Sequence, residues 1–275
     1  MRNWKLDNMK GILIILVVVG HLLELNLQNN SNRMLYFGIY LFHMAAFSFT
    51  TGYFAKFRPK KMLCKIVAPY LIFQIIYTLF VRIVLEQPLS FSVKTPYWML
   101  WYLMAMMFWF CMIPIIDQKT NKEKLGILIC SVLLALGVGF LPYIGRTYSI
   151  SRMLVYFPFF ISGFYAKNAQ FSKRMMQPTM QRGLGLLFIA VLGLTSFVVI
   201  FQKRISNNAL YEANAYQIGG YTIWFRLTHI IIGFLMTAAL FLGIPNKKLS
   251  IITFLGQHTM VIFLLHGFFV LLLKE

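Results

Sequence analysis

Long apolar runs recur along this chain from one end to the other, separated by short clusters of polar residues, Pro or Gly. About 20 consecutive apolar residues are what a helix needs to cross the hydrocarbon core of a bilayer. The pattern predicts nine spans, at about residues 7–27, 35–55, 65–86, 97–116, 125–141, 150–166, 183–202, 221–243 and 251–273. The alternating period of a transmembrane barrel is absent. The expected fold is therefore an all-α polytopic transmembrane helical bundle, with residues 1–275 forming a single integral-membrane domain. The first run follows Arg2, Lys5 and Lys10 in the manner of a signal peptide. It leads into Glu24-Leu-Asn-Leu-Gln without a small-x-small cleavage site, so it is expected to remain as the first helix.

Composition agrees with this pattern. With 59% hydrophobic and 12% charged residues, a soluble domain of 275 residues could not hide its apolar surface. The net charge of +19 would suggest nucleic acid in a soluble protein. In a membrane protein it reads instead as basic residues gathered in cytoplasmic loops, and no nucleic-acid partner is expected. Placing the N-terminus inside puts 17 Lys and Arg on the cytoplasmic side and 7 on the other, with Arg82 and Arg226 within spans. That bias predicts a cytoplasmic N-terminus and a multi-pass protein of a cell membrane, with a bacterial cytoplasmic membrane the natural setting. Cys64, Cys111 and Cys130 show no CxxC spacing, which gives neither a disulfide framework nor a zinc site.

Two stretches echo each other: Phe47-Ser-Phe-Thr-Thr-Gly-Tyr-Phe-Ala-Lys56 and Phe159-Phe-Ile-Ser-Gly-Phe-Tyr-Ala-Lys167. Both are explained by a Gly for close helix packing followed by interfacial aromatics and a Lys. A true internal repeat of the transporter kind is the alternative.

The costly residues are the polar ones inside the spans, since such groups mark pathways or reacting centres. At 100° per residue, Asp7, Lys10, His21 and Glu24 share an arc of about 100°, and Lys10 lies roughly 16 Å along the axis from His21. Asp7 and Lys10 can snorkel to headgroups, but the short imidazole of His21 cannot. His21, His43, His229 and His266 fall at similar depth in the outer half, which suggests a shared cavity; His258 lies nearer the inner end. No HxxxH or HExxH pair occurs, so no metal site is expected. His21 is the strongest candidate base, with Glu24 at i+3 to orient it. Serine nucleophilic chemistry is weaker, since no GxSxG elbow occurs and Ser48 and Ser162 lie in helix-like runs. Arg82 and Glu86 read as a local i,i+4 ion pair, and Arg226 and His229 as lining the same cavity. The loop containing Arg58, Lys60 and Lys61 is the densest basic cluster, suited to membrane anchoring or to gripping a phosphorylated ligand.

With these residues in view, the chain resembles the type-3 integral-membrane acyltransferases, especially the fucose 4-O-acetylase-like branch. Asp7-Asn-Met-Lys-Gly-Ile-Leu-Ile-Ile-Leu-Val-Val-Val-Gly-His21 is similar to the family's opening, where a basic residue precedes the histidine by eleven positions. Phe42-His-Met-Ala-Ala-Phe-Ser-Phe-Thr-Thr-Gly-Tyr-Phe54, Trp98-Met-Leu-Trp-Tyr-Leu and Leu255-Gly-Gln-His-Thr-Met-Val-Ile-Phe-Leu-Leu-His266 resemble later family landmarks in the same order. The departures are Lys10 for the usual arginine, Ala45 for proline, Thr259 for serine and a Lys-rich basic loop for a clean Arg-x-Arg. A lysine meets phosphate as a point charge rather than a bidentate fork. The family carries a further span after the histidine-bearing one, so this chain is expected to be either a short form of a ten-span fold or a truncated sequence.

The resemblance implies transfer of an acyl group, usually acetyl, from cytoplasmic acyl-CoA to a hydroxyl of a glycan or cell-envelope acceptor. By that likeness His21 is the catalytic base, assisted by Glu24. Lys10, Arg58, Lys60 and Lys61 hold coenzyme A phosphates, and His43, Trp98, Arg226, His229 and His266 contact substrate. No bound cofactor is expected; acyl-CoA enters as donor substrate, and the lipid bilayer is the surrounding partner. Two other readings use the same polar face: a small-solute or glycan-intermediate transporter with a proton relay, and a membrane recognition domain without catalysis.

Overall fold

A computed structural model describes residues 3–88, 91–92, 94–117, 119–144, 147–167, 185, 187–189, 191–193 and 207–274. Among these residues the chain is helical, with no strand. The principal helices are α1 (Trp4–Leu23), α2 (Asn30–Tyr40), α3 (His43–Phe54), α4 (Pro59–Ile83), α5 (Trp101–Ile116), α6 (Asn121–Gly137), α7 (Ile150–Ala166), α8 (Ile223–Gly243), α9 (Ser250–Gln257) and α10 (Thr259–Leu272).

Six helical stretches of the described residues are long and apolar enough to cross a membrane, and the pair α9 and α10, bent by 85°, makes up to seven. The sequence pattern predicts nine. Helix α7, at 17 residues, is not among them, and most of the expected span at 183–202 lies outside the described residues. The chain is a multi-pass membrane protein.

Local chemistry sets the helix starts. The Asn3 side chain accepts from the Leu6 amide, Thr120 and Glu123 form a reciprocal capping box, and Thr222 accepts from Phe225. Helix α4 shows how these helices face their surroundings. Tyr70, Gln74, Tyr77, Thr78 and Val81 recur on one helical face and are buried, whereas Leu71, Ile72, Ile75, Ile76 and Leu79 are exposed. The aliphatic side thus faces outward and the polar and aromatic side inward, the arrangement a lipid solvent requires.

Reciprocal glycines set the tightest helix crossings. A Cβ built on Gly52 of α3 overlaps the Phe160 carbonyl oxygen of α7, and one built on Gly163 of α7 overlaps the Phe49 carbonyl oxygen of α3. These two glycines belong to the two echoing segments, so the echo places one small residue on each side of a single contact. The same device joins α1 to α9, where Gly11 meets the Ile252 carbonyl and Gly256 meets the Asp7 carbonyl. Aromatic packing fills the bundle between these crossings. Trp109 is fully buried, donates its indole N–H to the Met153 carbonyl at 2.9 Å and stacks on Phe160.

Several helices break where the sequence pattern reads as continuous. Helix α1 ends in a 3₁₀ turn at Glu24–Asn26, α2 and α3 part at Leu41 and Phe42, and α9 gives way to α10 at His258. Helix α4 ends at Ile83, and Glu86 adopts φ 48°, so Arg82 and Glu86 do not share the helical geometry that an i,i+4 pair needs. Both side chains are exposed, and no ion pair joins them among the described residues.

Candidate active site

Two of these breaks, the one after α1 and the one between α2 and α3, border a cavity of about 910 Å³. The last turn of α1 and the 3₁₀ turn after it supply His21 and Glu24; the ends of α2 and α3 supply Tyr40 and His43. Trp98 comes from the turn that precedes α5, Arg152 and Tyr156 from α7, and Tyr211 from the segment between Asn207 and Tyr221. The wall is mixed. Aromatic rings stand beside a few polar groups, as in pockets that orient a polar ligand.

His21 is the most crowded of these groups. Its Nδ1 lies 3.2 Å from the Tyr40 hydroxyl and 3.6 Å from Glu24 Oε2. Its ring stands edge-on to Trp98 at 4.6 Å and stacks on His266 at 5.5 Å between centroids. His43 and His266 differ from it in one respect. Each donates Nδ1–H to the carbonyl four residues earlier on its own helix, Ile39 at 2.8 Å and Ile262 at 2.9 Å. That bond fixes their tautomer and leaves Nε2 as the acceptor. Only His21 of these three has side-chain oxygens at Nδ1, including a carboxylate. His266 sits behind the His21 ring rather than on the cavity wall, and its Nε2 is buried without a hydrogen-bond partner.

Glu24 is held from the other side. Tyr211 donates its hydroxyl to Glu24 Oε1 at 2.6 Å, and Tyr36 donates to the Tyr211 oxygen at 3.0 Å. A directional chain thus runs from Tyr36 through Tyr211 to the carboxylate beside His21.

Arg226 and His229, expected on the cavity wall, lie behind it. Arg226 is fully buried, with Nε 2.6 Å from Glu212 Oε2, and His229 Nδ1 lies 2.8 Å from Glu212 Oε1. The guanidinium also donates to the carbonyls of Ala135 and Asn214, each at 3.1 Å, and to the Tyr221 hydroxyl. Burial alone would push the Glu212 carboxyl up. The His229 hydrogen bond and the Arg226 charge outweigh that penalty, and the group lies below the usual carboxylate range.

Residues expected toward the inner side are apart from the cavity. Lys10 pairs with Asp7 at 3.0 Å and stands over the Phe54 ring at 4.8 Å, which ties α1 to the end of α3. Arg58, Lys60 and Lys61 are exposed at the start of α4 and just before it. Among the described residues no group of three His, Cys, Asp or Glu side chains converges as metal ligands.

The structure therefore gathers His21, Glu24, His43 and Trp98 at one cavity with His266 behind them, and sets Arg226 and His229 apart. Helical periodicity gives no sign of Tyr40, Tyr211 or Glu212. One signal marked the last of these: Glu212 is one of only seven acidic residues against 26 basic ones.

Comparison with known proteins gives two matches. Residues 3–275 match the family described as an acyltransferase domain. A segment of 58 residues is 48% identical to the nodulation protein NolL of Sinorhizobium fredii (strain NBRC 101917 / NGR234), covering 20% of this chain and 16% of that relative. The matched part is thus a small share of either chain. No solved structure matches.

Proposed function

Because the chain belongs to the type-3 acyltransferase family, we propose that it is a membrane O-acyltransferase, with acetyl as the usual group, which uses His21 as general base. The observation that carries this reading is the arrangement at His21 Nδ1, where Glu24 and Tyr40 stand within 3.6 Å on the wall of a large aromatic cavity. A carboxylate on that side orients the imidazole and stabilises its protonated form, leaving Nε2 for the acceptor hydroxyl.

In the reaction, His21 Nε2 takes the proton from the acceptor hydroxyl as its oxygen attacks the thioester carbonyl carbon of acyl-CoA. The new C–O bond forms, the C–S bond breaks, and the departing thiolate recovers the proton from the imidazolium. Trp98, with Tyr40 and Tyr211, offers aromatic faces for a sugar ring, and His43 offers a fixed Nε2 acceptor for a further hydroxyl. His266 supports the His21 ring from behind. Lys10 and the Arg58, Lys60 and Lys61 cluster meet the phosphates of coenzyme A from the cytoplasmic side, in line with the charge bias of the loops. The acceptor class is a glycan or related cell-envelope hydroxyl compound.

The test is acyl transfer by the purified full chain in lipid nanodiscs, with labelled acetyl-CoA and a panel of methyl glycosides or isolated envelope glycans. Labelled ester should appear on an acceptor, and His21→Ala should reduce the rate about 10²–10⁴-fold. Wild-type rates in His21→Ala would remove the assigned role.

A further inference from the structure

We infer that Tyr211 is a positioning residue, which holds Glu24 against His21 and is itself held by a buried anchor built on Glu212. The inference rests on the reading of His21 as the base and names a part of the same site that no comparison assigns.

The contact at the site comes first. Tyr211 donates to Glu24 Oε1 at 2.6 Å, the shortest hydrogen bond that Glu24 makes among the described residues. The other oxygen, Oε2, has no hydrogen-bond partner and stands 3.6 Å from His21 Nδ1. Glu24 lies past the end of α1 in a 3₁₀ turn, so regular helix geometry does not fix its direction. A carboxylate tied at one oxygen has its second oxygen aimed; an untied one is free to rotate toward water in the cavity.

The anchor gives Tyr211 its own fixed place. Tyr211 belongs to a segment between two helices, where backbone direction needs outside support. Its neighbour Glu212 supplies that support from inside the protein, with 0% exposure and charge-assisted bonds to Arg226 and His229 of α8. The Glu212 carbonyl accepts from the Ser151 hydroxyl at 2.7 Å, and the Tyr211 carbonyl accepts from Arg152 Nε at 3.0 Å, both from α7. Arg226 reaches on to the Ala135 carbonyl of α6. Two helices thus hold two consecutive residues directly, and a third braces Arg226 from behind. Glu212 also has φ 51°, a left-handed conformation that a side-chain-bearing residue seldom adopts. In that conformation the carboxylate at 212 points into the anchor while the phenol at 211 reaches the cavity.

Two measurements test this. The first is the rate at which diethyl pyrocarbonate modifies His21 in the full chain at about pH 9, well above the ordinary imidazole value of about 6.5, so that the rate reports the nucleophilicity of Nε2 that a carboxylate at Nδ1 raises. It is read by mass spectrometry with the exposed His258 as internal reference and does not depend on transferase activity. Tyr211→Phe should slow modification of His21 about ten-fold, the effect of losing one charged hydrogen bond, and Glu24→Gln should slow it similarly. The Tyr211→Phe/Glu24→Gln double variant should match Glu24→Gln alone. Glu212→Gln should reproduce the Tyr211→Phe effect, with His229→Ala as the second variant if Glu212→Gln does not fold.

The second measurement is the transfer reaction, where Tyr211→Phe should lower kcat about ten-fold and leave KM for acetyl-CoA unchanged. Unaltered His21 modification in Tyr211→Phe, or effects of the two single variants that multiply in the double, would overturn the inference. If the wild-type chain transfers no acyl group while the modification pattern holds, the acyltransferase reading fails and the positioning of Glu24 stands.

Discussion

Replacing Glu212 with Gln gives the sharpest energetic test of how this bundle is held together. The carboxylate is completely buried between Arg226 at 2.6 Å and His229 at 2.8 Å, with the Tyr221 hydroxyl at 3.3 Å. Glutamine keeps the shape and removes the charge, so the guanidinium of Arg226 stays buried without a counter-ion. Breaking a buried pair in this way costs about 3–5 kcal/mol, more than the 0–1 kcal/mol of an exposed pair. Three of the guanidinium's contacts, to Ala135, Asn214 and Tyr221, survive the substitution, which places the expected loss near the lower end of that range. Removing both charges in Glu212→Gln/Arg226→Met takes away the unpaired guanidinium and should restore part of the lost stability, though not all, since the Ala135 and Asn214 carbonyls lose a donor. The assay is unfolding of the detergent-solubilised protein by SDS titration. Its pH dependence supplies a second check. The folded carboxyl lies below its usual range, so its contribution is complete above the ordinary Glu value of about 4.3 and disappears as pH falls through the lower folded value. The gap between wild type and Glu212→Gln should therefore close as the pH falls below about 4. A Glu212→Gln loss under about 1 kcal/mol, or a double variant no more stable than the single, would refute the argument from a buried unpaired charge.

Two further outcomes follow from the packing and from the exposed basic cluster. Gly52→Ala and Gly163→Ala each drive a methyl into a carbonyl of the facing helix, and each should destabilise the protein by at least about 1–3 kcal/mol in the same titration. Gly126→Ala, in open space on α6, should be neutral or stabilising by up to about 1 kcal/mol. The paired substitution Lys60→Ala/Lys61→Ala should raise KM for acetyl-CoA several-fold with kcat unchanged, and added salt should mimic it; an unchanged KM would remove the cluster from donor binding.

What the sequence reveals and what it hides follows from the kind of signal each residue gives. An apolar run of about 20 residues reports a helix, and the run around Leu13 and Ile14 does so without ambiguity. A histidine in such a run reports cost, and His21, His43 and His266 do come together. Arg226 and His229 carry the same signal for a different reason, because they bind one buried carboxylate rather than line the cavity. Spacing along one helix cannot separate these cases, since the partner, Glu212, lies 14 and 17 residues away in a segment with no helical period. The count of spans suffers from a related weakness. Apolar content does not register a break, and α2 and α3 or α9 and α10 read as single runs although the second pair bends by 85°.

The break between α2 and α3, with two turns at helix ends, is where the site is built. Backbone that leaves the helix at membrane depth has unpaired N–H and C=O groups, which lipid cannot satisfy; it is tolerated where protein or a water-filled cavity surrounds it. The 3₁₀ turn at Glu24–Asn26 delivers Glu24, the break before α3 delivers His43, and the turn at Trp98–Leu100 delivers Trp98. Trp98 and Ser149 line the cavity with φ of 34° and 53°, and Glu212, at 51°, lies between the lining residues Tyr211 and Ala213. Among the described residues, two of the five non-glycine residues with positive φ thus line the cavity, and Tyr148 and Glu212 adjoin residues that do. A continuous helix would have satisfied the backbone at lower cost at each place, so the irregular backbone and the cavity explain each other. The first helix brings its histidine to this wall by regular geometry, but the groups that surround it come from departures from that geometry, which is why composition and period locate His21 and not Tyr211.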